Sequence, residues 1–244
     1  MDNTVHTALV LADIHYVGRA KHTCPISKRK ATEGVSLIRR VLSEAAVEEP
    51  SLAILLGDLV DNGNANESQQ DLWAIKETFD HLDIPVLAVC GNHDGDLALF
   101  SEVFPNQVVD LAGYQFVAFS DTYRQDHGQR DFSVMKQIFS RLDRSRPIVA
   151  CQHNPVYPWI DNEYPYNLDN SQTVSAYYRD NQVRLSLSGH VHWGVKSTGH
   201  QGVEYITLAA LCESPHTYGL LKLSRNSYEF NACTLEPANS ERHG

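Results

Sequence analysis

Ile84-Pro85-Val86-Leu87-Ala88-Val89-Cys90-Gly91-Asn92-His93-Asp94 decides how the chain is read. It opens as a short, β-rich apolar run, which predicts a buried strand entered at Pro85 and left at Gly91. A glycine at the exit lets the backbone turn sharply and bring side chains close to a ligand. The strand tip then carries Asn92 and His93 toward a cleft outside the carboxyl ends of the strands, where open α/β sheets bind ligands.

The same arrangement repeats on both sides of this stretch. Upstream, the apolar run 52–56 ends on Gly57-Asp58-Leu59-Val60-Asp61-Asn62-Gly63, and the run 8–12 ends on Asp13-Ile14-His15. Side chains at i and i+2 share one face of an extended strand, so Asp13 and His15 are expected to point at the same object. Between these runs lie helical patterns. Val35, Ile38, Val41, Leu42 and Ala45 form one stripe, stopped by Pro50; Leu72, Ile75, Phe79 and Leu82 form another, with Asn66 as its expected cap. The order β-α-β-α-β is that of a sheet with crossover helices.

Downstream, a short helix over 97–103 precedes a strand over 114–120 and a polar loop over 121–130. A helix through Phe132, Met135, Ile138, Phe139 and Leu142 leads to a strand over 147–152 that delivers His153. A helix near 171–179 precedes a strand over 183–188, which ends on Gly189-His190-Val191-His192. The closing runs 204–210, 218–223 and 228–235 are spaced like an antiparallel meander. With no internal repeat or linker, the expected organisation is one domain over 1–236 and a polar, frayed tail over 237–244.

Composition bounds the function. The chain has 244 residues and 42% apolar content, enough for a substantial core. Twenty Lys and Arg against thirty Asp and Glu give a net charge of −10, which argues against a protein that coats nucleic acid. The five cysteines contain no Cys-x-x-Cys pair. No charged-then-apolar leader precedes the first strand, and no apolar run approaches the ~18 residues of a membrane span. The expectation is a reduced, cytoplasmic protein without a membrane partner. Two loops stay open in meaning. The loop 16–31 carries Arg19, Lys21, Lys28, Arg29 and Lys30, either a solvated face or a contact for an anionic substrate. The loop 156–170 carries Tyr157, Trp159, Tyr164 and Tyr166, either an ordered surface loop or a substrate wall that Trp193 would join.

Five strand ends thus carry Asp13, His15, Asp58, Asn92, His93, His153, His190 and His192. Carboxylates, a carboxamide oxygen and neutral imidazoles are ligands of borderline divalent metals. Seven of these side chains (all but His93) exceed what one ion takes while keeping an open position. They suit two ions that share a bridging carboxylate.

Taken in order, Asp-x-His, Gly-Asp-x-x-Asp, Gly-Asn-His-Asp, a lone His and Gly-His-x-His resemble the signature of the calcineurin-like metallophosphoesterase family, from Asp13 to His192. The resemblance implies the family's four-layer α/β/β/α sandwich with two mixed sheets. It implies one metal held by Asp13, His15, Asp58 and His192, and another held by Asp58, Asn92, His153 and His190. The metals would be two divalent or trivalent ions of manganese, iron, zinc or nickel, and the reaction attack of a metal-bound hydroxide on phosphorus. His93 would assist the leaving group, and Asp61 would orient His93. Departures narrow the choice. Phosphoprotein phosphatases have Arg-Gly after the second acid, where this chain has Asn62-Gly63, and lipid A pathway pyrophosphatases place Arg where His93 stands. The related repair nucleases usually add a DNA-binding extension, for which an acidic chain of this length leaves little room. The chain most resembles small bacterial phosphodiesterases, including the class III cyclic-nucleotide enzymes, so the expected substrate is a small phosphodiester. The alternatives are a phosphomonoesterase of the same fold and a catalytically silent metal-binding scaffold.

Overall fold

Strict alternation on both faces of the central strands builds the molecule in layers. In β1 (His6–Leu11), Leu9 and Leu11 pack into one apolar cluster while Ala8 and Val10 pack into another. The helix α1 (Gly34–Ala45) then buries Leu37, Ile38, Val41 and Leu42, the stripe its sequence period specifies. β2 (Pro50–Leu55), α2 (Ser68–Glu77) and β3 (Val86–Ala88) repeat the pattern, with Ala53, Leu55, Val86 and Ala88 facing the helices. Leu52, Ile54 and Leu87 face the other way. The short helix α3 (Leu97–Val103) starts on Asp96, whose carboxylate accepts from the amides of Ala98 and Leu99.

The second half builds a matching sheet from β4 (Val108–Leu111), β5 (Tyr114–Phe119), β8 (Ile148–Gln152), β9 (Val183–Ser188), β10 (Val195–His200) and β11 (Val203–Thr207). Phe116, Val149, Cys151, Leu185 and Leu187 meet the first sheet. Val117, Phe119, Ile148 and Ala150 meet α4 (Phe132–Phe139) and α5 (Ser171–Asp180). Strands β12 (Thr217–Ser224) and β13 (Ser227–Thr234) return to the first sheet. A small separate hairpin joins β6 (Thr122–Arg124) to β7 (His127–Gln129).

The sheet orders are β13-β12-β1-β2-β3 and β10-β11-β9-β8-β5-β4. Each has a parallel run, β1-β2-β3 and β11-β9-β8-β5; antiparallel strands extend it at one end in the first sheet and at both ends in the second. The result is a four-layer α/β/β/α sandwich of two mixed sheets. This computed structural model describes residues 4–236 except 21 and 226. The tail expected over 237–244 lies outside the described residues. No helix among them is long and apolar enough to cross a membrane.

Three local expectations are corrected. The closing runs are not one meander: β11 joins the second sheet parallel to β9, while β12 and β13 pair in the first. Asn66 does not cap α2; the residue before that helix is Glu67, in a left-handed conformation with no side-chain cap bond. The polar loop 121–130 contains the β6–β7 hairpin and ends on Arg130, buried beside Asp121 and Tyr178.

Candidate metal centre

The parallel strands of both sheets end at one place, and there the chain leaves strand geometry. Asp13, His15, Asp58 and His190 have φ of 53°, 46°, 51° and 69°. Non-glycine residues rarely adopt this left-handed region, and such strain clusters at functional sites. Asp13 and His15 are therefore aimed by consecutive turns, not by the alternation of an extended strand. Backbone bonds fix those turns, since the amides of Ile14 and His15 both donate to the Asp58 carbonyl at 2.9 Å. Glycine permits the closest approach. A Cβ on Gly91 would lie 2.3 Å from Asp58 Oδ1, and one on Gly189 would lie 2.8 Å from Asp13 Oδ2.

The carboxylates are braced by neighbouring backbone. The His190 amide donates to Asp13 Oδ1 and Oδ2 at 3.1 and 2.9 Å, and the His93 amide donates to Asp58 Oδ1 at 2.9 Å. Asp94 ties two tips together by accepting from the amides of Leu59, Val60 and Gly91 at 2.7, 3.0 and 2.8 Å.

The structure brings all seven candidate ligands together. Ligand atoms of Asp13, His15 and Asp58 lie within 4.8 Å of one another, as do those of Asp58, His153 and His190. Asp58 Oδ2 is shared: it lies 3.5 Å from His15 Nε2 and 3.3 Å from His153 Nε2. His192 Nε2 completes the first group, 3.2 Å from His15 Nε2 and 3.5 Å from Asp13 Oδ1. Asn92 Oδ1 joins the second, 3.1 Å from His153 Nε2, and His190 Nδ1 approaches the same nitrogen at 3.0 Å. His190 Nε2 is buried without a partner. Imidazole nitrogens and carboxylate oxygens this crowded, with an orphaned nitrogen among them, fit a site for borderline divalent cations.

Three of the histidines are oriented from behind. His153 Nδ1 donates to the Leu56 carbonyl at 2.8 Å. His192 Nδ1 meets Glu213 Oε1 at 2.6 Å, and His15 Nδ1 lies 3.3 Å from Asp61 Oδ1. For His153 and His192 the bond at Nδ1 fixes the ring and the tautomer, so that Nε2 is the free ligand atom; at His15, Arg29 Nη1 approaches the same Nδ1 at 3.2 Å, so Asp61 and Arg29 together position that ring. Asp61, expected to orient His93, touches that ring through its backbone. Its backbone carbonyl, not its carboxylate, meets His93 Nδ1 at 2.6 Å. The carboxylate faces His15, His22, Cys24 and Arg29. Glu213 has no motif around it. It reaches the centre because the amides of Leu211 and Cys212 donate to the carbonyls of Ala12 and Asp13.

Burial and charge divide the histidines. Burial pushes His15 down to about 4 and His190 well below its ordinary range, so both are neutral at pH 7. Burial also opposes charge on His153, but the Asp58 carboxylate outweighs it and pushes the ring up to about 10. For Asp58 burial is likewise outweighed, and the charge of His153 holds it well below the usual carboxylate range. His153 and Asp58 thus form an ion pair beside the neutral imidazoles of His15 and His190.

Above these groups lies a cavity of about 790 Å³. One wall is the segment 22–29, including His22, Lys28 and Arg29. The other holds Tyr164, Tyr166, Trp193 and Asp126. Lys28 Nζ pairs with Glu213 Oε2 at 2.8 Å, and Arg29 Nη1 with Asp61 Oδ1 at 3.1 Å. Arg19 and Lys30 do not reach the cavity: Arg19 meets Gln70, and Lys30 pairs with Glu33. Tyr157 and Trp159 also turn away, with Tyr157 stacked on His200 at a ring distance of 4.2 Å.

The family model of calcineurin-like phosphoesterases matches residues 6–194. A probable cyclic nucleotide phosphodiesterase of Rhodococcus erythropolis is 24% identical over 208 residues, covering 79% of this chain and 67% of its own. A cAMP/cGMP dual specificity phosphodiesterase of Mycobacterium tuberculosis is 23% identical over 176 residues, covering 67% of this chain and 55% of its own. This chain thus spans little more than half the length of the latter. Among solved structures, a dimetal phosphatase from Danio rerio superposes with a TM-score of 0.73 at 16% identity, covering 96% of this chain and all of that one. A purple acid phosphatase from yellow lupin superposes with a TM-score of 0.63 at 12% identity, covering 96% of this chain and 52% of its own.

Proposed function

Because the chain belongs to the calcineurin-like phosphoesterases, we propose that it is a dinuclear-metal-dependent hydrolase of small phosphodiesters. The observation that carries this reading is Asp58 Oδ2, placed between His15 Nε2 at 3.5 Å and His153 Nε2 at 3.3 Å. One carboxylate oxygen there can serve two ions. Asp13, His15 and His192 would complete one site with Asp58, and Asn92, His153 and His190 the other. When bound, such a pair of cations acidifies water and neutralises charge on phosphoryl oxygens.

The remaining residues act on protons and position. His93 lines the cavity, and its Nδ1–H donates to the Asp61 carbonyl at 2.6 Å. A donor bond there fixes the ring and leaves Nε2 as the atom that would exchange a proton with the leaving oxygen. Glu213 holds His192 in its ligating tautomer, while Asp61 and Arg29 position the His15 ring. Preference for diesters is supported by the names of the two phosphodiesterase relatives.

The test loads the purified protein with manganese, iron, zinc and nickel in turn. Turnover of bis-para-nitrophenyl phosphate and cyclic nucleotides is compared with that of para-nitrophenyl phosphate. Faster diester turnover is expected. A large monoester advantage overturns the diesterase reading, and metal binding without any turnover leaves a silent scaffold. His93→Ala is expected to lower turnover about 10²–10⁴-fold with metal retained, most for poor leaving groups.

A further inference from the structure

The aromatic wall of the cavity is left over once the metal centre is accounted for. Tyr164 and Tyr166 lie with ring centroids 5.6 and 5.7 Å from His190 and 4.9 Å from each other. Trp193 meets Tyr166 edge-on at 5.0 Å and is 62% exposed. A continuous aromatic face therefore runs from an imidazole of the centre to an indole in solvent. Trp193 directly follows His192, so this face begins one residue from the site where the phosphate would sit.

The face is held in place before any ligand arrives. Asn154 Nδ2 donates to the Tyr166 carbonyl at 2.9 Å, and the Tyr166 amide donates to the Tyr164 carbonyl at 2.9 Å. Asn167 closes the loop, donating to the carbonyls of Pro155 and Pro158 and accepting from the Ile160 amide at 2.7 Å. The backbone that carries Tyr164 and Tyr166 is thus ordered by the fold, which lowers the cost of binding there.

Charge says what the face would accept. The cations of the cavity, Lys28 and Arg29, are already paired, with Glu213 and Asp61, while burial and then the nearby Asp126 carboxylate push the Tyr164 phenol up. A second phosphate there would meet Asp126 and cations that carboxylates already neutralise. An uncharged flat ring would meet π-faces and an edge.

We propose that Tyr164, Tyr166 and Trp193 form a stacking platform for a planar, uncharged group of the substrate, foremost a nucleobase. This makes Tyr166 and Trp193 specificity-determining residues. The proposal rests on the phosphoesterase reading only for placing the phosphate at the metal centre.

The test measures binding to the manganese-loaded protein by calorimetry, using AMP, phenyl phosphate and ribose phosphate. AMP is expected to bind roughly tenfold or more tightly than ribose phosphate, within the range of base–aromatic stacking. Trp193→Ala and Tyr166→Leu should collapse that ratio toward unity, while Trp193→Phe should retain most of it. Phenyl phosphate matching AMP would assign the platform to any flat ring; lagging behind AMP, it would assign the platform to a base. Equal binding of AMP and ribose phosphate, or a ratio unchanged in both truncated variants, overturns the platform. If the AMP preference holds but no diester is hydrolysed, the platform stands and the diesterase reading falls.

Discussion

At the scale of single residues, the centre depends on what stands behind each imidazole. Glu213 holds His192 Nδ1 at 2.6 Å and also pairs with Lys28. Outer partners of this kind typically contribute 10–100-fold in metal affinity, so Glu213→Ala should weaken one of the two sites by about that factor. Lys28→Ala separates this effect from loss of the surface pair. A metal titration that gives equal affinities for wild type and Glu213→Ala would remove Glu213 from the centre. Asp61→Asn should act similarly through His15, lowering metal affinity along with turnover. His153 makes a different prediction. Its pKa of about 10 leaves it protonated at neutral pH in the metal-free protein, whereas His15, at about 4, is already neutral. A ligating imidazole must be neutral, so metal uptake near pH 7 should release about one proton from His153. Affinity should therefore rise with pH until pH passes about 10. The same raised pKa stabilises the metal-free fold below the ordinary histidine value, and that contribution is lost as pH rises toward about 10. Calorimetry in buffers of differing ionisation enthalpy checks the release; a heat independent of buffer would refute it.

At the scale of elements, the strand tips are the functional parts, and glycines let them close on one another. Gly91→Ala would put a Cβ 2.3 Å from Asp58 Oδ1 and 2.5 Å from the Asp58 amide. Neither atom is the end of a long flexible chain, so Asp58 must move. Both metal sites should weaken and turnover should fall by an order of magnitude or more, whereas Gly199→Ala in β10, with nothing within 4 Å, should be neutral. Metal analysis and activity of the two variants check this pair; a fully active Gly91→Ala protein would show that the tips are looser than drawn. The tips were also the part most legible in the sequence. Apolar runs that stop at glycine and then a carboxylate or imidazole mark both a buried strand and its exit, as at Gly57-Asp58 and Gly91-Asn92. Edge elements were not legible. β10 reads Val-Lys-Ser-Thr-Gly-His, whose mixed exposure carries no clean period. Spacing alone also cannot tell which of two sheets a strand joins, which is why β11 parted from β12 and β13. The conformations that aim Asp13 and His15 depend on backbone bonds to Asp58 and Leu59, 45 or so residues away in the chain and invisible to a local pattern. Glu213 was missed for the same reason, since only the tertiary pairing of Leu211 and Cys212 with β1's exit brings it in.

At the scale of the whole molecule, the centre lies where two sheets meet. Asp13, His15, Asp58 and Asn92 follow β1, β2 and β3 of the first sheet, while His153, His190 and His192 follow β8 and β9 of the second. Each proposed ion would take ligands from both sheets, so metal binding would also fasten the two halves of the sandwich. Some fastening exists without metal: His153 donates to the Leu56 carbonyl, and the His190 amide donates to Asp13. The apolar layer between the sheets, with Val10, Ile54, Phe116, Val149 and Leu187 buried, should keep the metal-free protein folded. Removing metal should therefore lower the melting temperature without abolishing the cooperative transition. A ligand at about a thousand times its Kd stabilises by about 4 kcal/mol per site. In a chain of this size 1 kcal/mol shifts Tm by about 2–4 °C, so each occupied site should add roughly 8–16 °C. The variants give this its discriminating power. Asp58→Asn weakens both sites and should lose most of the metal-dependent rise, whereas His192→Ala should lose the part due to one site. Melting curves recorded with chelator and with increasing manganese test the arrangement. If Asp58→Asn kept as much of the rise as His192→Ala, Asp58 would not join the two sites, and the bridge on which the dinuclear reading rests would have to be abandoned.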